Sequence, residues 1–326
     1  MAEPGKIQKK EDAIRLLNMA LEHEWAVSFE YIIHAYSMPK GKLFYPDPIL
    51  KTTMDARAQT IQIGIDEMYH SLQLGIIIKQ LGGTPSFKTD EVLRFPKVID
   101  NLYRDKKTED FVTHLYQTTE FEDGAFPKIQ NMILNISYDE VRHAEQFAAM
   151  IGSMKEEGSE DTPCFPSDPD ASNKEDVQTL HEIMKLENEL LHRYLKYVID
   201  FSEHQDLSQR LLKNSINHMR HWDKNAGILI KLGDVIRIEN AEKDAGGVEK
   251  STSPMPSIYP GEDRRSALET LIPVEEELIV LYEKLIPLIS NKDIEEQLKL
   301  HLALKREHLF TQEWLLKNAR KIKGLT

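Results

Sequence analysis

The chain has 326 residues, 40% of them hydrophobic and 29% charged, with a formal net charge of −13. That length allows two domains, each with a core of its own, and the acidity argues against a nucleic-acid binder, which needs a basic face. A lone cysteine, Cys164, excludes a disulfide within the chain and any rubredoxin or zinc-ribbon cluster. The excess negative charge serves solubility, or part of it is carboxylate buried at a cation site. Met1 to Asp12 lacks an apolar signal core, and the longest apolar run, Leu74 to Ile78, is too short to span a bilayer. The expectation is a cytoplasmic protein with neither membrane nor nucleic-acid partners.

Apolar patterning with a 3.6-residue period predicts helices over Glu11–Met38, Thr52–Leu81, Val98–Asp123 and Pro127–Met154. Four more are predicted over Asp176–Ser202, Leu207–Leu232, Ser266–Ile289 and Lys292–Lys321. The polar, proline-rich stretch from Gly158 to Asp176 reads as a linker. Ala245–Asp263 reads as a long crossover inside the second half, and Gly82–Arg94 as a shorter one in the first. The expected architecture is therefore all-α. Two tandem four-helix bundles, each with one long crossover, occupy residues 1–156 and 176–326, with a linker over 157–175.

Two Glu-x-x-His motifs stand in the first half, Glu67-Met68-Tyr69-His70 and Glu140-Val141-Arg142-His143. Residues three apart share a helix face, so each motif presents a carboxylate and an imidazole to one point. Both motifs interrupt apolar stripes, Ile63 to Ile77 and Ile133 to Phe147, rather than lying on a solvent face. A carboxylate buried without a partner is very costly, and a divalent cation satisfies several at once. Each motif also has a lone Glu on the preceding helix, Glu24 and Glu109, and each of these is followed seven residues later by a tyrosine, Tyr31 and Tyr116. Residues equidistant from the turn of an antiparallel helix pair sit at one height. The midpoint of Glu24 and Glu67 falls within Pro39–Pro48, and that of Glu109 and Glu140 falls at Gly124-Ala125. Glu120 and Glu122 are rivals to Glu109 on the same predicted helix.

Four Glu and two His at one level form the ligand set of dinuclear carboxylate bundles. Asp66 and Asp139 precede the motif glutamates, where each is placed to accept the second N–H of a metal-bound histidine from the opposing helix. The alternative for both is a place on the polar flank.

The run from Leu17-Asn18 through Glu24 and Tyr31 to His34-Ala35 resembles the first helix of bacterioferritin. Ile65-Asp66-Glu67-Met68-Tyr69-His70 is similar to its second-helix motif, and Asp139-Glu140-Val141-Arg142-His143 to its fourth. The rubrerythrin branch shares this plan, and the likeness runs from about residue 10 to about residue 155. It implies a ferritin-like fold with Glu24, Glu67, His70, Glu109, Glu140 and His143 as metal ligands, Glu67 and Glu140 bridging. The implied cofactor is two Fe, with Mn or a mixed Mn/Fe pair as alternatives, and no haem, flavin or nucleotide is expected. Two departures stand out. A tandem chain fits the single-bundle cage of bacterioferritin poorly, and one cysteine excludes the rubredoxin module of rubrerythrin. Gly82-Gly83-Thr84-Pro85 is also similar to a stretch in the ferritin-like region of iminophenylpyruvate-dimerising enzymes.

The second half repeats the frame without the site. Glu189 stands at the place of Glu24, His218 and His221 at those of Glu67 and His70, Glu275 at Glu109, and Lys305 and His308 at Glu140 and His143. Glu275 again precedes a tyrosine, Tyr282, by seven. A lysine neutralises a buried carboxylate without metal, so a structural bundle is expected. The alternative is a single metal on His218, His221, His308 and a carboxylate, with His301 one repeat earlier. His23, His114, His181, His192 and His204 read as surface or packing residues, and His34 is left open. Trp25, Trp222 and Trp314 are expected in the core or at an interface.

The function expected is oxidation chemistry with dioxygen or peroxide. Glu67, Glu140, Tyr31 and Tyr116 are the catalytic candidates, with Tyr69 a further tyrosine within reach. No electron donor is visible on the chain, so an external donor or Fe(II) supplies reductant, and the second half covers the first or forms a homodimer interface. A metal-handling protein without organic substrate and a silent helical scaffold are the alternatives.

Overall fold

The computed structural model describes residues 6–165, 169–252 and 264–318, and the described chain is all-α apart from short strands. In order come α1 (Lys10–Ser37), β1 (Phe44–Pro46), β2 (Thr53–Asp55), α2 (Ala56–Gln80), β3 (Val92–Arg94), α3 (Val98–Thr118) and α4 (Pro127–Glu156). They are followed by α5 (Pro169–Ser172), α6 (Glu175–Asp200), α7 (Gln205–Lys231), β4 (Glu242–Lys243), β5 (Glu249–Ser251), α8 (Arg264–Leu285), a 3₁₀ turn (Ile286–Leu288) and α9 (Lys292–Lys317). No described helix is long and apolar enough to cross a membrane.

The chain divides into two compact units. One comprises Met1–Pro166 and Ile238–Pro254, the other Ser167–Arg237 and Met255–Thr326. In the first, α1 packs on α2 and α3 on α4; in the second, α6 packs on α7 and α8 on α9. This division departs from the expected boundaries at two places. Residues 238–254, read as part of the second half, carry β4 and β5, and β5 pairs antiparallel with β3, Leu93 opposite Lys250. The expected linker is likewise tied to the first unit at its start, where Cys164 N–H donates to the Pro96 carbonyl and Phe165 N–H to that of Ser37. Later it forms α5.

Local chemistry explains where the helices differ from expectation. Thr53–Asp55 is strand, not the start of α2, because β1 and β2 form a hairpin and the Asp55 carboxylate caps the helix by accepting from Ala58 N–H. Asp47 holds this hairpin to α4: its buried carboxylate accepts from the Tyr45 hydroxyl at 2.9 Å and from Gln146 Nε2 at 2.7 Å. Helix α3 stops at Thr118 rather than Asp123, since the backbone beyond it pairs with Ile7 through Ile7 N–H to Glu120 O and Glu122 N–H to Ile7 O. Residues 319–321 of the last predicted helix lie outside the described residues.

The core of the first unit includes Tyr31, Ile63, Leu102, Phe147 and Met150, with Tyr31 meeting Phe147 edge-on at 5.3 Å. Helices α1 and α2 approach closely at Gly64. A Cβ there would lie 2.9 Å from Ile32 Cγ1 and 3.0 Å from the Ser28 carbonyl oxygen. Such overpacking costs roughly 1–3 kcal/mol, and the better helix propensity of alanine returns about 1 kcal/mol. Gly64→Ala is therefore expected to lower stability by up to about 2 kcal/mol, read as a lower urea midpoint at unchanged slope.

Candidate metal centre

Each of the four long helices of the first unit sends a buried glutamate to one point: Glu24 from α1, Glu67 from α2, Glu109 from α3 and Glu140 from α4. His70 and His143 join them from α2 and α4, and all six residues are at most 3% exposed. Two sets of ligand atoms, each within 4.8 Å of one another, are able to hold a metal ion: Glu24, Glu67, His70 and Glu140, and Glu67, Glu109, Glu140 and His143. Glu67 and Glu140 belong to both sets.

Both imidazoles aim Nδ1 inward. His70 Nδ1 lies 2.7 Å from Glu67 Oε2, 3.2 Å from Glu140 Oε1 and 3.8 Å from Glu24 Oε2. His143 Nδ1 lies 2.8 Å from Glu67 Oε1 and 3.7 Å from Glu109 Oε2. Both aim Nε2 outward at an aspartate of the opposing helix: His70 at Asp139 (3.4 Å) and His143 at Asp66 (3.5 Å). Arg142 spans the two aspartates, 3.0 Å from Asp139 Oδ1 and 3.4 Å from Asp66 Oδ2.

The electrostatics of this cluster are unbalanced. Burial, followed by the charges of Glu67, Glu109 and Glu24, pushes the Glu140 carboxyl far above its usual range. Burial also raises Glu67, and although the histidines oppose it, repulsion from Glu109 and Glu24 leaves it at about 7. Glu24 goes the other way. Burial alone would raise it, but the neighbouring His70 holds it at about 2. Burial disfavours a charged imidazole, yet Glu67 foremost lifts both His70 and His143. The carboxylates still outnumber the imidazoles. Glu67 Oε1, both Glu109 oxygens, Glu140 Oε1 and His143 Nδ1 are buried without an aligned hydrogen bond among the described residues, although Glu67 Oε1 and His143 Nδ1 lie 2.8 Å apart. Such atoms carry a large desolvation cost, and they all face the shared centre. The donor set therefore fits cations.

Tyr116 donates its hydroxyl hydrogen to Glu24 Oε1 at 2.7 Å. Tyr31 is fully buried, and burial followed by the charge of Glu109 keeps it a phenol. Tyr69 is 46% exposed and takes no part, since position 69 falls on the outer face of α2. Glu120 and Glu122 are exposed and lie beyond the end of α3.

Toward the other end of α1, a second polar group escaped the sequence reading. His34 Nδ1 lies 2.7 Å from Asp105 Oδ1 and its Nε2 2.6 Å from the Leu93 carbonyl, so both ring nitrogens are engaged. Glu30 accepts from Arg104 Nε at 3.0 Å and from Leu93 N–H at 2.8 Å. The signal was present: Asp105 precedes Glu109 by one helical turn, as Glu30 precedes His34.

In the second unit the residue opposite Lys305 is Glu187, not Glu189. Glu189 instead pairs along its own helix with Arg193 at 2.7 Å. The tyrosine spacing marks Glu187, which precedes Tyr194 by seven as Glu24 precedes Tyr31. Lys305 Nζ lies 2.7 Å from Glu187 Oε2 and 2.8 Å from His218 Nδ1, with all three side chains fully buried. His218 Nε2 lies 3.1 Å from Glu275 Oε1. Two tyrosines cross the unit, Tyr282 donating to Glu187 at 2.6 Å and Tyr194 to Glu275 at 2.9 Å. His221 stacks on His301 at 4.2 Å. His218, Glu275 and His308 are close enough to hold an ion, but the Lys305 ammonium stands beside them. Burial would raise Glu187, and Lys305 with His218 holds it well below its usual value. Of the tryptophans, Trp25 and Trp222 are buried, whereas Trp314 is 47% exposed and is not a core residue.

Comparison of the chain with family models, with curated proteins and with solved structures finds no match in any of the three.

Two outcomes follow for the second unit. Lys305→Met takes the ammonium from buried Glu187 and leaves it only His218 and Tyr282, which is expected to cost about 3–5 kcal/mol, and adding Glu187→Gln recovers much of it; urea melts followed by tryptophan fluorescence measure both. Burial also holds His192 and His308 at about 4, and burial with the charge of His221 holds His301 at about 3. These rings are neutral when folded but take up protons near 6.5 when unfolded, so the unfolded state binds more protons as pH falls. The same melts are expected to show stability dropping between about pH 6.5 and about pH 4, with a smaller drop in His308→Asn.

Proposed function

We propose that the first unit holds a dinuclear metal centre of the ferritin-like carboxylate type, and that the protein is an oxidoreductase acting on dioxygen or peroxide. The carrying observation is that Glu67 and Glu140 belong to both ion-holding sets, which is the arrangement a bridging carboxylate pair requires. Glu24 and His70 would complete one metal position, and Glu109 and His143 the other. The likeness of the Glu-x-x-His helices to bacterioferritin and rubrerythrin supports a ferritin-like bundle here and a second, metal-free one in tandem. Mixed carboxylate and imidazole ligation suits iron and also serves manganese; iron is the proposal. When bound, the metal pair supplies the redox chemistry toward dioxygen or peroxide.

The chain's own residues set the conditions for that chemistry. Asp66 and Asp139 fix the rings of His143 and His70 so that Nδ1 faces inward. The Tyr116 hydroxyl holds one Glu24 oxygen and limits how that carboxylate turns. Tyr31 is a buried hydroxyl near Glu109, within reach for a proton or an electron. An external donor or Fe(II) itself supplies the reductant.

Anaerobic loading with Fe(II), desalting and metal analysis test the reading. About two metals per chain are expected, and Glu67→Ala combined with Glu140→Ala removes both. Loaded wild type is then expected to consume dioxygen or peroxide and the double variant is not. A value near one that survives the double substitution would shift the site to His218, Glu275 and His308. No metal in either protein would leave the cluster structural, and uptake of iron with no other turnover would make the protein a metal-handling one.

A further inference from the structure

A cavity of about 530 Å³ opens on the flank of the first unit between α1 and α3. Its size is that of a small-molecule site. Ala26, Val27 and Thr108, all buried, line it, and the partly exposed Phe111 ring adds a further apolar wall. These residues are sequence neighbours of the proposed ligands: Val27 lies one helical turn after Glu24, and Thr108 directly precedes Glu109. The cavity therefore lies beside the helical turns that carry Glu24 and Glu109, although neither glutamate lines it.

The charges around the cavity identify what it fits. Asp90 bonds to His23 at 3.2 Å, Glu91 pairs with Lys250 at 2.5 Å, and Arg104 pairs with Glu30 at 3.0 Å. Each of those charges is compensated within the unit. Lys107 is exposed and has no carboxylate partner among the described residues, which leaves one cation on the wall. One polar atom is also left over: His23 Nε2 is buried without a hydrogen-bond partner, while its Nδ1 faces Asp90.

We propose that this cavity binds a small organic monoanion, a carboxylate with an apolar body, beside the dinuclear centre. The carboxylate meets Lys107, the body covers Val27 and Phe111, and an O–H or N–H of the ligand donates to His23 Nε2. A solvated ion pair adds little affinity, so the apolar walls supply most of the binding and Lys107 selects for charge. That the ligand is also a substrate rests on the dinuclear reading; that it binds does not.

The test is calorimetric titration of the full chain with 6-hydroxyhexanoate and 4-hydroxybenzoate, and with their neutral amides, after chelation so that an anion on a metal does not register. Saturable carboxylate binding at about 1 mM or tighter is expected for ligands of this size. Lys107→Glu is expected to weaken the carboxylates about tenfold, since an opposed charge replaces an attractive one, and to leave the amides unchanged. Val27→Phe, checked for folding by circular dichroism, fills the cavity and abolishes binding of both. Carboxylate binding unaffected by Lys107→Glu, or none up to ten times the expected concentration, overturns the proposal. Metal binding separates the two readings. Two irons per chain without carboxylate binding leaves the centre and removes the ligand site, and the reverse result leaves the ligand site alone.

Discussion

Mutual repulsion among Glu24, Glu67, Glu109 and Glu140, held together out of water, is the constraint around which the polar interior of the first unit is arranged. It explains why both imidazoles turn Nδ1 inward and leave Nε2 to Asp66 and Asp139. It explains why Tyr116 gives its hydrogen to Glu24 rather than to water. It also explains why oxygens of Glu67, Glu109 and Glu140 are left unpaired, since protein donors alone do not match four carboxylates at one level.

The second unit meets the same constraint by subtraction. His218 and Lys305 occupy the positions of the two shared glutamates, so of the four corresponding positions Glu187 and Glu275 keep a buried carboxylate. One ammonium and one imidazole then stand between them. Tyr282 and Tyr194 cross to those two glutamates, and Asn225 and Gln312 donate to the tyrosines in turn. In the first unit Tyr116 makes the equivalent crossing to Glu24, while Tyr31 lies near Glu109 without an aligned bond to it. The difference lies in the carboxylates: among the described residues one Glu275 oxygen lacks a partner where the lysine sits, whereas oxygens of Glu67, Glu109 and Glu140 lack one where the glutamates sit.

Much of this was legible in the sequence, for definable reasons. Glu-x-x-His on an apolar stripe is a local pattern, and antiparallel helix pairs whose connections can be located make the heights of Glu24, Glu67, Glu109 and Glu140 a matter of counting. Glu187 was missed because aligning the halves by their glutamates alone admits a shift of two residues, which the spacing to Tyr194 removes. The group around His34 was missed because Asp105 and Glu30 lie one turn from the proposed ligands without repeating their motif, and because part of it rests on the Leu93 carbonyl of β3, a backbone partner that no side-chain pattern encodes. The pairing of β3 with β5 was equally hidden, since three-residue strands far apart in the chain carry no periodicity to read.

That pairing has a consequence for how the protein can be made. The chain builds most of the first unit, leaves it for α6 and α7, returns to lay β4 and β5 beside β3, and leaves again for α8 and α9. On the ribosome the sheet stays incomplete until Ser251 has emerged, so the unit bearing the carboxylates waits on two helices of its neighbour before its last strand arrives. A gene cut at the apparent linker would not release a finished half. It would leave β3 as an unpaired edge, exposing backbone groups that recruit other chains.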